Sequence, residues 1–288
     1  MKRFLTLIFA LLLTVCFASC GGQSAGAKDL DNIKEAGVIR IGMECNYKPF
    51  NWTQNTSDNG AVKIVKPDTG KYAYGYDVMI AKKIAEALGV KLEIYMCDFD
   101  GLITSLNTNV IDAVIAGMSP TEERKKAIDF SSPYYSSNLV IVTKKNSALK
   151  DCKNLNDLNK KEYKIAAQTG TFHLKALKAQ LSDCTYSQAD TFALLQAQLD
   201  SMVIDGYVAE LPTALTYCSI SDEYTYVPLV NNTTGFKATD ADVSIAVGLR
   251  KGSTALAKIN ECLNGILQDQ RDQMMSEAIR LQSEGLDL

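Results

Sequence analysis

Apolar positions along this chain follow two alternating periods. "GVIRIGME" and "VKLEIYM" are short aliphatic runs between polar bounds, the pattern of buried strands. Between them, "YDVMIAKKIAEALG" repeats at helical spacing. Val78, Ala81, Ile84, Ala85 and Leu88 share one face, and Gly89 ends the helix. "DGLITSLNTN" predicts a second helix with Leu102, Ile103 and Leu106 inward, and Asp98 and Asp100 suit its cap. "IDAVIAG" predicts the strand that follows. Residues 51–76 interrupt the pattern as a polar loop or hairpin insertion. Strand–helix repetition of this kind argues for parallel sheets in an α/β fold.

The same order returns after residue 146. "YKIAAQTG" predicts a strand running into the helix "TFHLKALKAQL", and "TFALLQAQLD" a further helix. "SMVIDG" reads as strand and "VAELPTALTYC" as helix. The last part predicts the strand "VSIAVGLRKG" and one long amphipathic helix carrying Leu256, Ile259, Leu263, Ile266 and Leu267. One α/β unit is thus inserted into another, with chain crossings near residues 135–140 and 242–246. Two lobes with a cleft place a ligand where hinge closure buries it.

The segment "AGMSPTEERKKAIDFSSPYY" follows an apolar strand and sets Arg124 in the first turn of a short helix. Ser119, Pro120, Thr121, Glu122 and Glu123 supply the start signal: a hydroxyl residue, an acid three positions on, and an early proline. Backbone N–H groups, a hydroxyl and a guanidinium converging after a strand suit a carboxylate. On this stretch alone, a surface helix with a solvated arginine reads equally well.

The ends and the charge narrow the function classes. Lys2 and Arg3 precede an apolar run ending in Ala18, Ser19 and Cys20, which predicts a signal peptide over residues 1–19, too short for a membrane span. Small residues before Cys20, and Gly21 and Gly22 after it, resemble a lipobox. This makes Cys20 the expected lipid anchor, although Phe17 stands where leucine is usual. Residues 20–37 are expected to be a lipid-anchored tether. Removing residues 1–19 takes away two positive charges and leaves a net charge of −5, which argues against nucleic-acid binding. About 250 residues remain, enough for two modest domains with their own cores. The lone His173 and the wide cysteine spacing give no zinc pattern. Cys45, Cys97, Cys152, Cys184, Cys218 and Cys262 are expected to be mostly reduced, with Cys45 and Cys97 the candidate pair.

The blocks "GYDVMIAKKIAEALG", "FDGLITSLNTNVIDAVIAGMSPTEERKKAIDFSSPYY", "AAQTGTF" and "LDSMVIDGYVAE" resemble, in this order, the extracytoplasmic amino-acid-binding proteins of ABC importers, the polar amino-acid group of solute-binding protein family 3. The resemblance runs from Val38 to the C-terminus. It implies a two-lobed, type II periplasmic-binding-protein-like fold with mixed, mainly parallel sheets and a two-stranded hinge. Lobe 1 would span residues 38–137 plus 244–288, and lobe 2 residues 138–243. Arg124 matches the clamp on the ligand α-carboxylate, with Ser119 and Gly117 beside it and Met118 between them. Thr171 matches the second-lobe carboxylate contact; Phe172 stands where relatives carry another hydroxyl. Asp205 matches the acid that pairs with the α-ammonium. Tyr47 and Phe99 match aromatic walls, with Trp52 nearby in either a wall or a core role. Glu44 matches an acid that reaches the ligand's distal group. His173 reads as a solvated first-turn residue or a rim residue.

The implied activity is a monomeric receptor that captures a free L-amino acid, polar or cationic, and delivers it to a permease and its ATPase. It needs no cofactor or metal. No G-x-x-x-x-G-K-[S/T] phosphate loop is present. The rivals are a cleft enzyme such as a cyclohexadienyl dehydratase, in which Glu44 or His173 would have to act as the acid, and an amino-acid sensor domain.

Overall fold

A computed structural model describes residues 26–284. The expected signal peptide, Cys20 and the first part of the expected tether lie outside the described residues. The first sheet is built around Val38–Met43, whose Ile39, Ile41 and Met43 are fully buried. This strand runs parallel to Lys91–Met96 on one side, in register from Val38 opposite Lys91 to Met43 opposite Met96. It runs parallel to Ala113–Val114 on the other. Helix Tyr76–Leu88 covers it with the expected face, since Val78, Ala81, Ile84, Ala85 and Leu88 are all buried. Val78, Ile84 and Leu88 each contribute roughly 1.5–3 kcal/mol by leaving water. Gly75 precedes that helix at φ 129°, where a Cβ would overlap the Phe50 carbonyl oxygen.

The second sheet runs in the order Thr185–Ala189, Lys164–Gln168, Gly206–Glu210, Leu139–Lys144, Tyr224–Val227. Its first three strands are parallel, and Leu139–Lys144 is antiparallel to both neighbours. The hydroxyls of Thr171 and Thr191 cap helices Phe172–Gln180 and Phe192–Asp200 by accepting from the N–H of Leu174 and Leu194. Both helices therefore start at carboxyl ends of strands, the edge where open α/β sheets hold ligands. Tyr135–Ser136 pairs antiparallel with Ser244–Ile245 between the two sheets, which is the two-stranded connection of a type II periplasmic-binding-protein fold. One apolar cluster runs from Ile41 and Ile84 through Tyr47 and Phe192 to Ala166 and Tyr207, so buried surface is continuous across the cleft.

Several elements differ from the sequence pattern. "SMVIDG" is a turn, with Met202 at φ 57° and both Met202 and Val203 exposed. The strand is the fully buried Gly206–Glu210, and the helix begins only at Leu211, where Pro212 sits in the first turn. Residues 51–76 take the hairpin alternative rather than the loop: Asn51–Gln54 and Val62–Lys66 each pair antiparallel with Tyr72–Tyr74. The C-terminal helix is two, Leu256–Asn264 and Gln268–Glu284, and Leu267 is exposed at the break. Within the expected tether, Asp29–Ala36 is a helix that buries Ile33 and Asp29. All six cysteines among the described residues are free thiols, Cys45 and Cys97 included.

Candidate functional site

The first lobe presents its site residues from loops fixed by a buried polar network. The Cys45 N–H donates to Asn51 Oδ1 at 2.7 Å, Asn51 Nδ2 to Asp77 Oδ2 at 2.7 Å, and the Tyr134 hydroxyl to Asp77 Oδ1 at 2.7 Å. Burial pushes the Asp77 carboxyl up to about 6, against the pull of Tyr134, Asn51 and the Gly117 N–H. This network ties the loop after Val38–Met43, which carries Glu44 and Tyr47, to the loop that carries Gly117. Gly117 has φ +61°, and a Cβ there would lie 2.8 Å from the Tyr47 ring.

Arg124 opens the one-turn helix Arg124–Ala127, and its N–H donates to the Thr121 hydroxyl at 3.3 Å. Its guanidinium donates to the Ser119 carbonyl at 3.0 Å and, across the cleft, to the Gly170 carbonyl at 3.0 Å. The Phe99 ring lies 5.1 Å beneath it. Burial lowers the Arg124 pKa to about 10, opposed by the charges of Asp100 and Glu123.

The second lobe meets this surface at four further points. Gln168 Nε2 donates to both Glu44 oxygens, at 3.1 and 3.0 Å, and to the Asp190 carbonyl at 2.9 Å. Burial raises Glu44 to about 7; the Gln168 bond lowers it, and the charges of Asp98 and Asp100 raise it further. Phe192 stacks on Tyr47 at 4.1 Å and 13°. The Thr213 hydroxyl donates to the Lys48 carbonyl at 3.0 Å. Gly170, at φ +72°, lies so close to Asp100 that an added Cβ would overlap its carboxylate.

Between these contacts lies a cavity of about 10 Å³ whose lining includes Tyr47, Gly117, Arg124, His173, Phe192 and Glu210. His173 Nε2 and Glu210 Oε1 are 3.1 Å apart, and the two side chains are 7% and 5% exposed. Desolvation lowers His173 to about 3, with the Arg124 charge adding to the effect, and raises Glu210 to about 8. Three buried polar atoms have no partner among the described residues here: Tyr47 Oη, His173 Nδ1 and Glu210 Oε2. Outward of Arg124 a groove of about 860 Å³ runs past Asp100, Met118, Glu123, Lys175, Lys178 and Asp242.

Most of the expected residues meet here. Tyr47, Phe99, Gly117, Ser119, Arg124, Thr171 and Phe172 line the small cavity, Glu44 stands behind Gln168, and Met118 lines the outer groove. Asp205 is not among them. Its carboxylate accepts from the Lys164 N–H at 2.8 Å, at the opposite end of Lys164–Gln168 from Gln168. The second-lobe acid that lines the small cavity is Glu210, one strand length further on. His173 is buried beside it rather than solvated. Trp52 packs edge-on against Tyr74 at 5.3 Å, in the core. Asp98 makes no side-chain cap. Sequence reasoning also missed Gln168 and Phe192. The available signal for Glu210 was an apolar run bracketed by two acids and followed by proline.

Residues 39–278 match the family described as bacterial extracellular solute-binding proteins, family 3. The arginine-binding extracellular protein ArtP of Bacillus subtilis is 28% identical over 270 residues, covering 91% of this chain and 92% of that protein. An amino acid ABC transporter substrate-binding protein of Streptococcus pneumoniae, solved bound to L-arginine, has a TM-score of 0.76 at 28% identity, over 88% of this chain and 98% of its own. The ancestral amino acid-binding protein AncCDT-1, a precursor of cyclohexadienyl dehydratase, has a TM-score of 0.71 at 29% identity, over 87% of this chain and 99% of its own.

Proposed function

The chain belongs to the bacterial extracellular solute-binding proteins, family 3, and from that premise we propose that it is the extracytoplasmic receptor of an ABC importer for a free L-amino acid with a basic side chain. The observation that carries this is the small cavity, which sets the Arg124 guanidinium and the unpartnered Glu210 Oε2 on one enclosed surface. A zwitterion needs one group of each sign, close together and screened from water.

Arg124, with the Ser119 and Thr171 donors, takes the α-carboxylate, and Glu210 takes the α-ammonium. Tyr47, Phe99 and Phe192 flank the side chain. Glu44, oriented by Gln168, receives its cationic end. Since Arg124 and Gln168 already contact both lobes, a ligand bridging them favours the closed arrangement. The moving units are residues 38–137 plus 244–288 and residues 138–243, turning about Tyr135–Ser136 and Ser244–Ile245. Residues 1–19 direct export, lipidated Cys20 anchors the monomer to the membrane, and a permease receives the ligand.

Calorimetry with the twenty amino acids tests the reading. Arginine, lysine or histidine should bind, and a chain that prefers glutamate or binds none of them would refute it. A cleft enzyme of this fold would use Glu210 and His173 as its acid–base pair. Recovery of the ligand chemically unchanged after long incubation, read by mass spectrometry, supports the receptor.

A further inference from the structure

The His173–Glu210 pair has chemistry that a simple ammonium site does not need. A carboxylate facing the cavity would suffice to bind a cation. Here one oxygen of the acid is instead bonded to an imidazole at 3.1 Å. Its other oxygen and the second ring nitrogen stay unpartnered among the described residues. A bond between Nε2 and Oε1 requires a proton between them, carried by one group or the other. The setting favours the neutral pair. Both groups are buried, the cation that acts on His173 is Arg124, and burial moves the acid and the base toward their uncharged forms, Glu210 near 8 and His173 near 3.

We propose that His173 is a positioning residue that keeps Glu210 protonated until the ligand arrives, so that amino-acid capture releases one proton. The proposal rests on the reading of Glu210 as the α-ammonium site. Before capture, Glu210 Oε1–H donates to Nε2, and the imidazole carries its own proton on Nδ1. The ligand ammonium, already positive, then settles on Oε2 and makes the carboxylate the favoured form. The proton on Oε1 passes along the existing bond to Nε2, the proton on Nδ1 leaves to water, and His173 ends neutral as a donor to the carboxylate. One proton is lost from the pair and no bond between heavy atoms changes. Glu210 Oε1 stays fixed throughout, which aims Oε2 at the ligand.

Few other charges face the pair. Arg124 and the Tyr47 hydroxyl share the cavity, and Glu44 lies behind Gln168. The strand residue opposite Glu210 is the apolar Leu139. Helix Phe172–Gln180 directs Lys175 and Lys178 into the outer groove. Helix Phe192–Asp200 carries Asp200 at its far end, bonded to the Tyr224 hydroxyl, and Tyr217 and Cys218 of helix Leu211–Ile220 lie toward that end.

The test is calorimetry of L-arginine binding at pH 7 in phosphate, HEPES and Tris, whose differing ionisation heats convert released protons into a slope. Wild type should release between one and two protons, Glu44→Gln close to one, and His173→Gln less than wild type while still binding. Binding heat that is identical in all buffers overturns the proposal, as does Glu44→Gln with no release. Absence of binding heat for any amino acid refutes the receptor reading instead. Should the variants bind too weakly, the wild-type pH profile decides. Affinity for norleucine, which carries no cation to Glu44, that rises with pH supports the pair, whereas a profile that rises for L-arginine and is flat for norleucine assigns the proton to Glu44 and overturns it.

Discussion

Gln168 Nε2 lies 3.1 and 3.0 Å from the two carboxylate oxygens of Glu44, joining residues 124 positions apart across the cleft. One amide nitrogen thereby fixes both oxygens of an acid whose charge burial disfavours. Glu44→Gln should keep the side-chain volume and lose the charge. The expected cost is about 1.5–3 kcal/mol for a basic amino acid, the worth of a hydrogen bond to a charged group. Affinity for a neutral amino acid should barely change. Paired titrations of lysine and norleucine read this, and an equal loss for both would remove Glu44 from the side-chain site.

Arg124 has two roles that a lysine cannot share. Its planar fork reaches the Ser119 and Gly170 carbonyls together while lying over Phe99. Arg124→Ala should cost about 3 kcal/mol in binding, roughly a hundredfold or more, and Arg124→Lys should recover only part of it. Affinities by calorimetry check this; full recovery by lysine would mean that a point charge suffices.

Gly117 sits at φ +61° with the Tyr47 ring in the place of its missing Cβ. Gly117→Ala combines backbone strain with displacement of the ring, an expected destabilisation of about 1–3 kcal/mol. Because Tyr47 is a cavity wall, binding should weaken as well. Chemical denaturation and ligand titration of the same variant separate the two losses.

The elements with a strong period were readable from the chain: the face of Tyr76–Leu88 and the runs of Val38–Met43 and Lys91–Met96. Arg124, singled out by the helix start before it, and Thr171, which the family resemblance implied, both line the small cavity. The reading failed at Asp205 for a definite reason. Val203 and Ile204 look like strand, but they form a turn, so the strand and its terminal acid lie five residues on, at Glu210. His173 was unreadable because its burial comes from Phe192 and Glu210, brought in by separate elements. The same holds for Asp29, which composition places in a tether and the fold places opposite Arg250.

Arg250 and Asp29 form a buried ion pair at 2.8 Å, each side chain 3% exposed, and the guanidinium also donates to the Leu106 and Ile111 carbonyls. Asp112 stands 3.6 Å away as a weaker second partner. Asp29→Ala leaves a buried cation under-paired and should cost about 3 kcal/mol. Ligand affinity should be unchanged, since the pair lies outside the cleft. A urea unfolding curve measures the cost, and an affinity change of tenfold would show that the N-terminal helix communicates with the site.

Stability should vary with pH in a window set by these buried groups. Glu210 near 8 and Glu44 near 7 are both raised above their ordinary values, so each contributes stability that is complete at low pH and is lost as pH rises through its folded value. His173, lowered to about 3, acts in the opposite sense, but only below its ordinary value of 6.5. Asp77, raised to about 6, has finished titrating by then. Between pH 6.5 and 8 the two glutamates therefore act alone, and the melting temperature of the ligand-free protein should fall as pH rises. Glu210→Gln should flatten the upper part of that slope and Glu44→Gln the lower part. Saturating arginine should flatten it, because the bound cation favours the ionised acids and leaves the folded and unfolded states with equal protonation there. Scanning calorimetry at half-unit steps would show this, and a melting temperature that rises from pH 6.5 to 8 without ligand would mean that neither acid holds a proton in the folded cleft.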